Sequence, residues 1–236
     1  MKKKTSKNSK HVIKRSSAVK KVFLVFPLAF LFIGLMLFLP AGTFDYWQAW
    51  LFILVLFIPV VFVLSYLLKR DPELLARRMK FKEKEVHQKL IIKISSFMFF
   101  IGFLIPGFDY RFSWSSVPLW LVIAADIIIL LSYLLVFLVF RENSYTSRIV
   151  EVAKGQKVIS TGPYSVIRHP MYAGVMLMYL FMPVALGSYW ALIVFVPTIG
   201  VIVFRALDEE KVLLKGLKGY REYCKKVRYR IIPGIW

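Results

Sequence analysis

The segment 161–174 holds the densest group of side chains that could bind or transform a ligand. It reads T-G-P-Y-S-V-I-R-H-P-M-Y-A-G. Pro170 suits the first turn of a helix, where unpaired backbone N–H groups and the helix dipole attract negative charge. Arg168 and His169 stand just before this helix start and add donors of their own. The pattern predicts a site for an anionic or polar ligand, although such residues are also common interfacial anchors in membrane proteins.

A second polar cluster follows about 30 residues later and reads R-A-L-D-E-E, from Arg205 to Glu210. Arg205 and Glu209 are four residues apart and share a helix face, so an ordinary intrahelical ion pair would also explain them. Three consecutive acids nevertheless stand out in a chain whose net charge is +20. If the flanking apolar runs form a hairpin through Gly187 and Ser188, the two clusters meet in one pocket.

The elements that must position these clusters are membrane helices. The chain is 58% hydrophobic and 19% charged, whereas soluble domains average about 45–50% and 25%. Its apolar runs are long enough to cross about 30 Å of hydrocarbon, where the backbone must satisfy its own hydrogen bonds. We predict an all-α, polytopic integral membrane protein of about six transmembrane helices with a short C-terminal helix. The predicted spans are 22–40, 48–68, 91–106, 117–140, 171–186 and 189–205, of which the third and fifth are short.

The basic residues alternate strongly between the segments that connect these spans. Of the 33 Lys and Arg residues, all except Arg111 fall on one side of the membrane in this topology. The positive-inside rule then predicts the cytoplasmic (inner) membrane, with both termini in the cytoplasm. Anionic lipid, at about 1 kcal/mol per basic residue near the surface, explains the charge better than nucleic acid does.

Three regions are predicted along the chain. Residues 1–21 form a polar, like-charged arm without stable structure. Residues 22–140 contain four spans and an amphipathic connection at 71–90 that lies along the membrane interface. Residues 141–236 contain the two polar clusters, the last two spans and the C-terminal segment.

Four local features carry further predictions. Residues 147–160 suggest a small hairpin or an extended loop, and residues 208–228 a helix. Cys224 is the only cysteine, so no intrachain disulfide is possible. A carboxyl at Asp126, inside the fourth span, costs at least about 2.5–3.5 kcal/mol on insertion scales. Such a residue is by default a functional candidate, but we favour a structural helix–helix hydrogen bond, because no other ionisable residue lies at a matching depth in a different span.

The order of the motifs resembles a known family. The run G-P-Y-S-V-I-R-H-P-M-Y-A-G, followed by R-A-L-D-E-E, K-G-Y-R-E-Y and I-I-P, resembles the isoprenylcysteine carboxyl methyltransferases, which are related to the phospholipid N-methyltransferases. The resemblance covers about residues 142–233. The stretches D-Y-W-Q-A-W at 45–50 and R-D-P-E-L-L-A-R-R-M at 70–79 also resemble bacterial members.

The resemblance implies a membrane methyltransferase that uses S-adenosylmethionine and no metal. Its pocket would face the cytoplasm, and a lipophilic or lipidated acceptor would enter from the bilayer. The implied catalytic residues are Arg205, Glu209 and Glu210. The implied cofactor-binding residues are Gly162, Pro163, Tyr164, Arg168, His169, Pro170, Tyr172, Gly174, Tyr220, Tyr223 and Arg230. For a carboxylate acceptor, which is favoured, Arg205 would orient it; for an amine, Glu209 or Glu210 would accept the proton.

Two other functions compete with this interpretation. Membrane sterol reductases that use NADPH share the pattern R-H-P-x-Y-x-G, but Asn usually follows the Pro and an acid follows the Gly. This chain has Met171 and Val175 there. A transporter would be expected to show paired, broken spans in matching halves, and the chain has no such repeat. The oligomeric state is left open.

Overall fold

The computed structural model describes residues 24–78, 86–147, 149–153 and 155–236. These residues form eight α-helices and one 3₁₀ turn, and no strand occurs among them. The helices are α1 (Leu24–Ala41), α2 (Trp47–Arg70), α3 (Pro72–Arg78), α4 (Val86–Phe112), α5 (Leu119–Glu142), α6 (Pro170–Ala185), α7 (Leu192–Gly216) and α8 (Tyr220–Lys226), with the 3₁₀ turn at Gly162–Ser165. The prediction of an all-α fold is confirmed.

Four helices, α1, α2, α4 and α5, are long and apolar enough to cross a membrane. The remaining two predicted spans differ from them. Helix α6 is apolar but has 16 residues, or about 24 Å at 1.5 Å per residue. Helix α7 has 25 residues, but its second half carries Arg205 and three acids. The chain is thus a polytopic helical membrane protein.

The C-terminal part differs from the sequence prediction. The predicted last span and the start of the predicted helix at 208–228 form one continuous helix, α7, because no helix-breaking residue separates them. The prediction of an unbroken helix to residue 228 is wrong, since α7 ends at Gly216. Helix α8 starts after Gly219, whose φ of +86° lies in the left-handed region. Glycine adopts this conformation without the steric cost of a Cβ atom.

The structure describes part of each of the two predicted cytoplasmic connections. The described residues of 147–160 form a loop, in which the Gln156 amide donates to the Ala153 carbonyl at 3.0 Å. The loop alternative is therefore the correct one there. Within the predicted interfacial segment, α3 is helical; residues 79–85 lie outside the described residues, and 86–90 belong to α4.

Close packing of α5 against α6 sets the position of the first polar cluster. A Cβ atom at Gly174 would lie 2.9 Å from Val136 Cγ2 and 3.2 Å from the Ser132 carbonyl oxygen. Only glycine therefore allows this approach of the two helices. Helix α7 in turn packs against both α4 and α6.

The connections gather at two opposite ends of the helices. At one end, the Tyr46 hydroxyl donates to the Leu186 carbonyl and the Tyr110 hydroxyl to the Asp45 carbonyl. At the other, Arg77 of α3 donates to the Ser144 carbonyl. We call the latter, with residues 143–169 and 217–236, the basic end. This grouping of connections matches the predicted alternation.

Asp126 differs from its prediction. Its side chain is buried in α5, and within the described part of the chain neither carboxyl oxygen has a hydrogen-bond partner. The predicted helix–helix hydrogen bond is therefore not formed.

Candidate functional site

The start of α6 is fixed by the C-terminal segment of the chain. Pro170 occupies the first helical turn and His169 precedes it as the N-cap. The Arg168 amide donates to the Tyr229 carbonyl at 2.9 Å, and the His169 amide donates to the Arg230 carbonyl at 2.8 Å. Two backbone N–H groups just before a helix are thus satisfied by a segment 61 residues further along the chain.

Glu210, from α7, joins three basic side chains at this point. Its Oε1 lies 2.9 Å from Arg168 Nη1 and 3.3 Å from His169 Nε2. Its Oε2 accepts a hydrogen bond from Arg230 Nε at 2.9 Å. Burial alone would raise the pKa of Glu210, but the hydrogen bonds from His169 and Arg230 and the Arg168 charge outweigh it, so its pKa lies below the ordinary value. The Glu210 carboxylate therefore stays ionised. It links α7 to the residues just before α6 and to the C-terminal segment.

The neighbouring acid, Glu209, faces a different partner. The Tyr172 hydroxyl donates to Glu209 Oε2 at 2.5 Å and also contacts Arg205. Tyr172 on α6 therefore contacts two charged side chains of α7, Glu209 and Arg205. The sequence prediction that the two polar clusters meet is confirmed by these contacts and by those of Glu210.

A cavity opens between these elements. Its walls come from described residues of the range 143–159, the start of α6, the end of α7 and α8. Eight of the predicted site residues line it: Tyr164, Arg168, His169, Pro170, Tyr172, Glu209, Tyr220 and Tyr223.

Tyrosines from α8 cover one side of the cavity. The Tyr223 hydroxyl donates to the Tyr164 carbonyl at 2.7 Å. The Tyr220 hydroxyl is buried and has no hydrogen-bond partner among the described residues. Across the cavity, Asn143 Nδ2 donates to the Tyr164 hydroxyl at 3.0 Å. Burial raises the pKa of Tyr164 to about 12, so this hydroxyl is protonated at neutral pH.

The other predicted residues lie outside the cavity wall. Gly162 adjoins Glu142, since a Cβ atom at Gly162 would lie 2.7 Å from Glu142 Cγ. Gly174 faces α5. Glu210 and Arg230 lie behind His169, and Arg205 lies beyond Tyr172. Pro163 belongs to the 3₁₀ turn. The roles of all these residues stay predictions.

Several residues of the cavity wall were not predicted. They include Asn143, Tyr145, Thr146, Gln156 and Lys157 from the loop, and Leu213 and Leu217 from the end of α7. The one signal in the sequence is the polar run E-N-S-Y-T-S at 142–147, which directly follows an apolar span. Nothing in its spacing indicates that it faces the helix α8 far along the chain.

A groove runs from the cavity along the helices. Aliphatic and aromatic side chains of α1, α4, α6 and α7 form most of its wall, and Arg78 and Arg205 also line it. Ser147, Met171 and Tyr172 line both spaces. The polar cavity and the apolar groove therefore adjoin along these three residues.

A comparison with known protein families points to the same part of the chain as the cavity. The model of the phospholipid methyltransferase family matches residues 120–218. The match begins in α5, includes the cluster around Glu210 and ends before α8. It supports a membrane methyltransferase and falls on the part of the chain that builds most of the cavity.

A curated relative gives a second finding. The Delta(14)-sterol reductase of Mus musculus is 33% identical to this chain over 94 residues. The aligned region is 37% of this chain and 22% of the reductase. The chain therefore matches about a fifth of that protein's length.

Proposed function

We propose that the protein is an integral membrane methyltransferase that uses S-adenosylmethionine and modifies a lipophilic acceptor. One observation carries this proposal: the family match at 120–218 falls on a polar cavity that adjoins an apolar groove. A polar cofactor and a lipophilic acceptor need such adjoining spaces of opposite polarity.

The residues of the cavity fit this cofactor. When bound, S-adenosylmethionine supplies a methyl group on a positively charged sulfur. The buried Tyr220 hydroxyl and Arg168 Nε have no hydrogen-bond partner among the described residues, and buried polar atoms normally have one. Arg168 would hold the cofactor's carboxylate, and Glu209 would attract its ammonium or sulfonium charge. Tyr220 would donate to an oxygen or nitrogen of the cofactor.

The protein's contribution to the reaction is alignment and exclusion of water. Methyl transfer is a displacement, in which the acceptor atom must approach the methyl carbon opposite the breaking carbon–sulfur bond. Tyr220 and Tyr223 cover the cavity from the basic end, which keeps water from the acceptor. Glu210 holds Arg168 and His169 in place, and Tyr172 stands between the cofactor space and the groove.

The chemistry of the acceptor decides which side chains act. We favour a carboxylate, as in isoprenylcysteine-type O-methylation, because Arg205 lines the groove beside Tyr172 and could orient it. A carboxylate acceptor has no proton to lose, so the reaction needs no base. For a lipid amine, the next candidate, Glu209 would accept the proton. Glu210 suits that role less, since both its oxygens already accept bonds from basic side chains.

An NADPH-dependent reductase is the second candidate, since the 94-residue identity with the mouse Delta(14)-sterol reductase favours it. Met171 and Val175 differ from the residues expected in that class. The two activities need different cofactors, so binding separates them directly.

Transfer of a tritiated methyl group tests the proposed function. The purified protein is incubated with methyl-labelled S-adenosylmethionine and a membrane lipid extract, and label is counted in the organic phase. We expect incorporation by the parent, and at least a hundredfold loss in Arg205→Ala if the acceptor is a carboxylate. Label released as methanol by mild base indicates an ester; base-stable label indicates N-methylation.

Lys211→Gln is the matched control, because Lys211 is exposed and lies on the same helix. Among the described residues its ion pair is with Asp208, at 3.0 Å. A parent that binds NADPH, but neither binds S-adenosylmethionine nor transfers its methyl group, would contradict the proposal.

A further inference from the structure

Arg78, the last residue of α3, reaches into the boundary between the cavity and the groove. Its Nη1 lies 3.2 Å from the Ser147 carbonyl oxygen and 3.6 Å from Met171 Sδ. Its guanidinium carbon lies 5.3 Å from the centre of the Phe140 ring, a cation–π contact. These contacts hold the half-buried side chain against the wall of the groove.

Arg78 lies where the cavity and the groove adjoin. Ser147, Met171 and Tyr172 line both the cavity and the groove, and Arg78 contacts the first two of them. A group bound by Arg78 would therefore lie beside the place where the acceptor meets the cofactor space.

The rest of the groove indicates what kind of molecule Arg78 would meet. Its wall is mostly apolar, from residues such as Phe99, Phe100 and Ile202, and Arg205 adds a second positive charge near Tyr172. A molecule that complements this wall has a long apolar body and an anionic group at one end. The planar guanidinium fork suits carboxylate and phosphate oxygens, which it binds with two parallel hydrogen bonds.

We propose that Arg78 binds the oxyanion of a lipophilic acceptor and so places its head beside Tyr172. This inference rests on the proposed function, but it assigns a binding role to a residue outside the region that the family model matches. The oxyanion is either the carboxylate of a lipophilic acid or the phosphate of a phospholipid.

Equilibrium binding of three radiolabelled lipids to the purified full-length protein, in a neutral maltoside detergent, tests this role. The probes are palmitate, dipalmitoyl phosphatidate and the uncharged hexadecanol. We expect Arg78→Gln to weaken binding of palmitate or phosphatidate at least tenfold (about 1.4 kcal/mol) and to leave hexadecanol unchanged. Whichever anion responds identifies the source of the oxyanion. Arg78→Lys keeps the charge without the fork and should weaken binding less.

Arg77→Gln is the matched control. Arg77 precedes Arg78 on α3 and bonds a carbonyl of the same loop, that of Ser144, but it does not line the groove. Equal losses in the two variants, or equal losses for hexadecanol and the anions, would overturn the proposal and leave Arg78 a purely structural role.

Titration of S-adenosylmethionine into the same samples separates the two proposals. We expect the parent and Arg78→Gln to bind it equally. If neither binds it while the lipid selectivity holds, the proposed function fails and the oxyanion site at Arg78 stands.

Discussion

Glu210 shows how one side chain organises the residues around it. It pairs with Arg168 and His169 just before α6 and with Arg230 of the C-terminal segment, although it does not itself line the cavity. Breaking a buried ion pair by removing one partner costs about 3–5 kcal/mol, because the remaining charges lose their compensation. We therefore predict that Glu210→Gln destabilises the protein by about 3 kcal/mol at pH 7. Thermal unfolding in detergent measures this, with Lys211→Gln as a surface control.

The pH dependence of the same variant follows from the direction of the pKa shift. The pKa of Glu210 is lowered in the folded protein from an ordinary value of 4.5. Its stabilisation is therefore complete above pH 4.5 and is lost as the pH falls through the lowered pKa. We predict that the difference in melting temperature between parent and Glu210→Gln narrows below about pH 4.5. A melting-temperature difference that stays constant down to pH 3 would contradict the claim that Glu210 stabilises the protein as an ionised carboxylate.

Two tyrosines of α8 form a natural pair for testing the cavity. The Tyr223 hydroxyl has a carbonyl partner, whereas the buried Tyr220 hydroxyl has none among the described residues. Tyr223→Phe should cost about 1 kcal/mol of stability, as expected for one hydrogen bond. Tyr220→Phe should cost no stability, but should weaken cofactor binding about fivefold. Thermal unfolding and calorimetric titration of both variants check this. A loss of stability in Tyr220→Phe together with a loss of cofactor binding in Tyr223→Phe would contradict the prediction.

At the scale of elements, the break between α7 and α8 lets the two tyrosines cover the cavity. Gly219 takes a φ of +86°, and a Cβ atom there would meet only Val158 Cγ2, at 3.9 Å. The cost of Gly219→Ala is therefore conformational rather than steric, about 1–2 kcal/mol. We predict this loss of stability together with weaker cofactor binding.

Gly200→Ala is the control for that variant. Gly200 lies inside α7, and a Cβ atom there would meet nothing within 4 Å. Alanine is the better helix former, so a small gain of about 0.5–1 kcal/mol is expected. Equal effects of the two substitutions would argue against a conformational role for Gly219.

The helices themselves could be predicted from the sequence because apolar runs and breakers determine them locally. The meeting of the two polar clusters also followed, once residues 171–186 and 189–205 were paired as a hairpin. The partners of Glu210 could not be predicted, since Arg230 reaches it through the C-terminal segment that pairs with residues 168–169. The contact of α3 with the groove could not be predicted from the sequence either. A helix of seven residues is too short for its apolar pattern to indicate which element it packs against.

At the scale of the whole molecule, the connections lie at two ends, and the cavity lies at the basic one. We predict that the basic end faces the cytoplasm. Single cysteines introduced by Ser116→Cys and Lys218→Cys, both exposed positions at opposite ends, test this in a Cys224→Ser background. A membrane-impermeant maleimide should label Ser116→Cys in intact cells and Lys218→Cys only in inside-out vesicles. The reverse pattern would place the cavity outside the cell.

Binding of S-adenosylmethionine in the cavity is the central claim, and calorimetric titration of the purified protein tests it most directly. Val158 lines the cavity, so Val158→Trp should fill it; Val196→Trp, on the exposed face of α7, is the matched control. We predict micromolar binding by the parent and by Val196→Trp, and binding at least tenfold weaker in Val158→Trp. No binding by a folded parent, or equal binding by all three proteins, would contradict the claim.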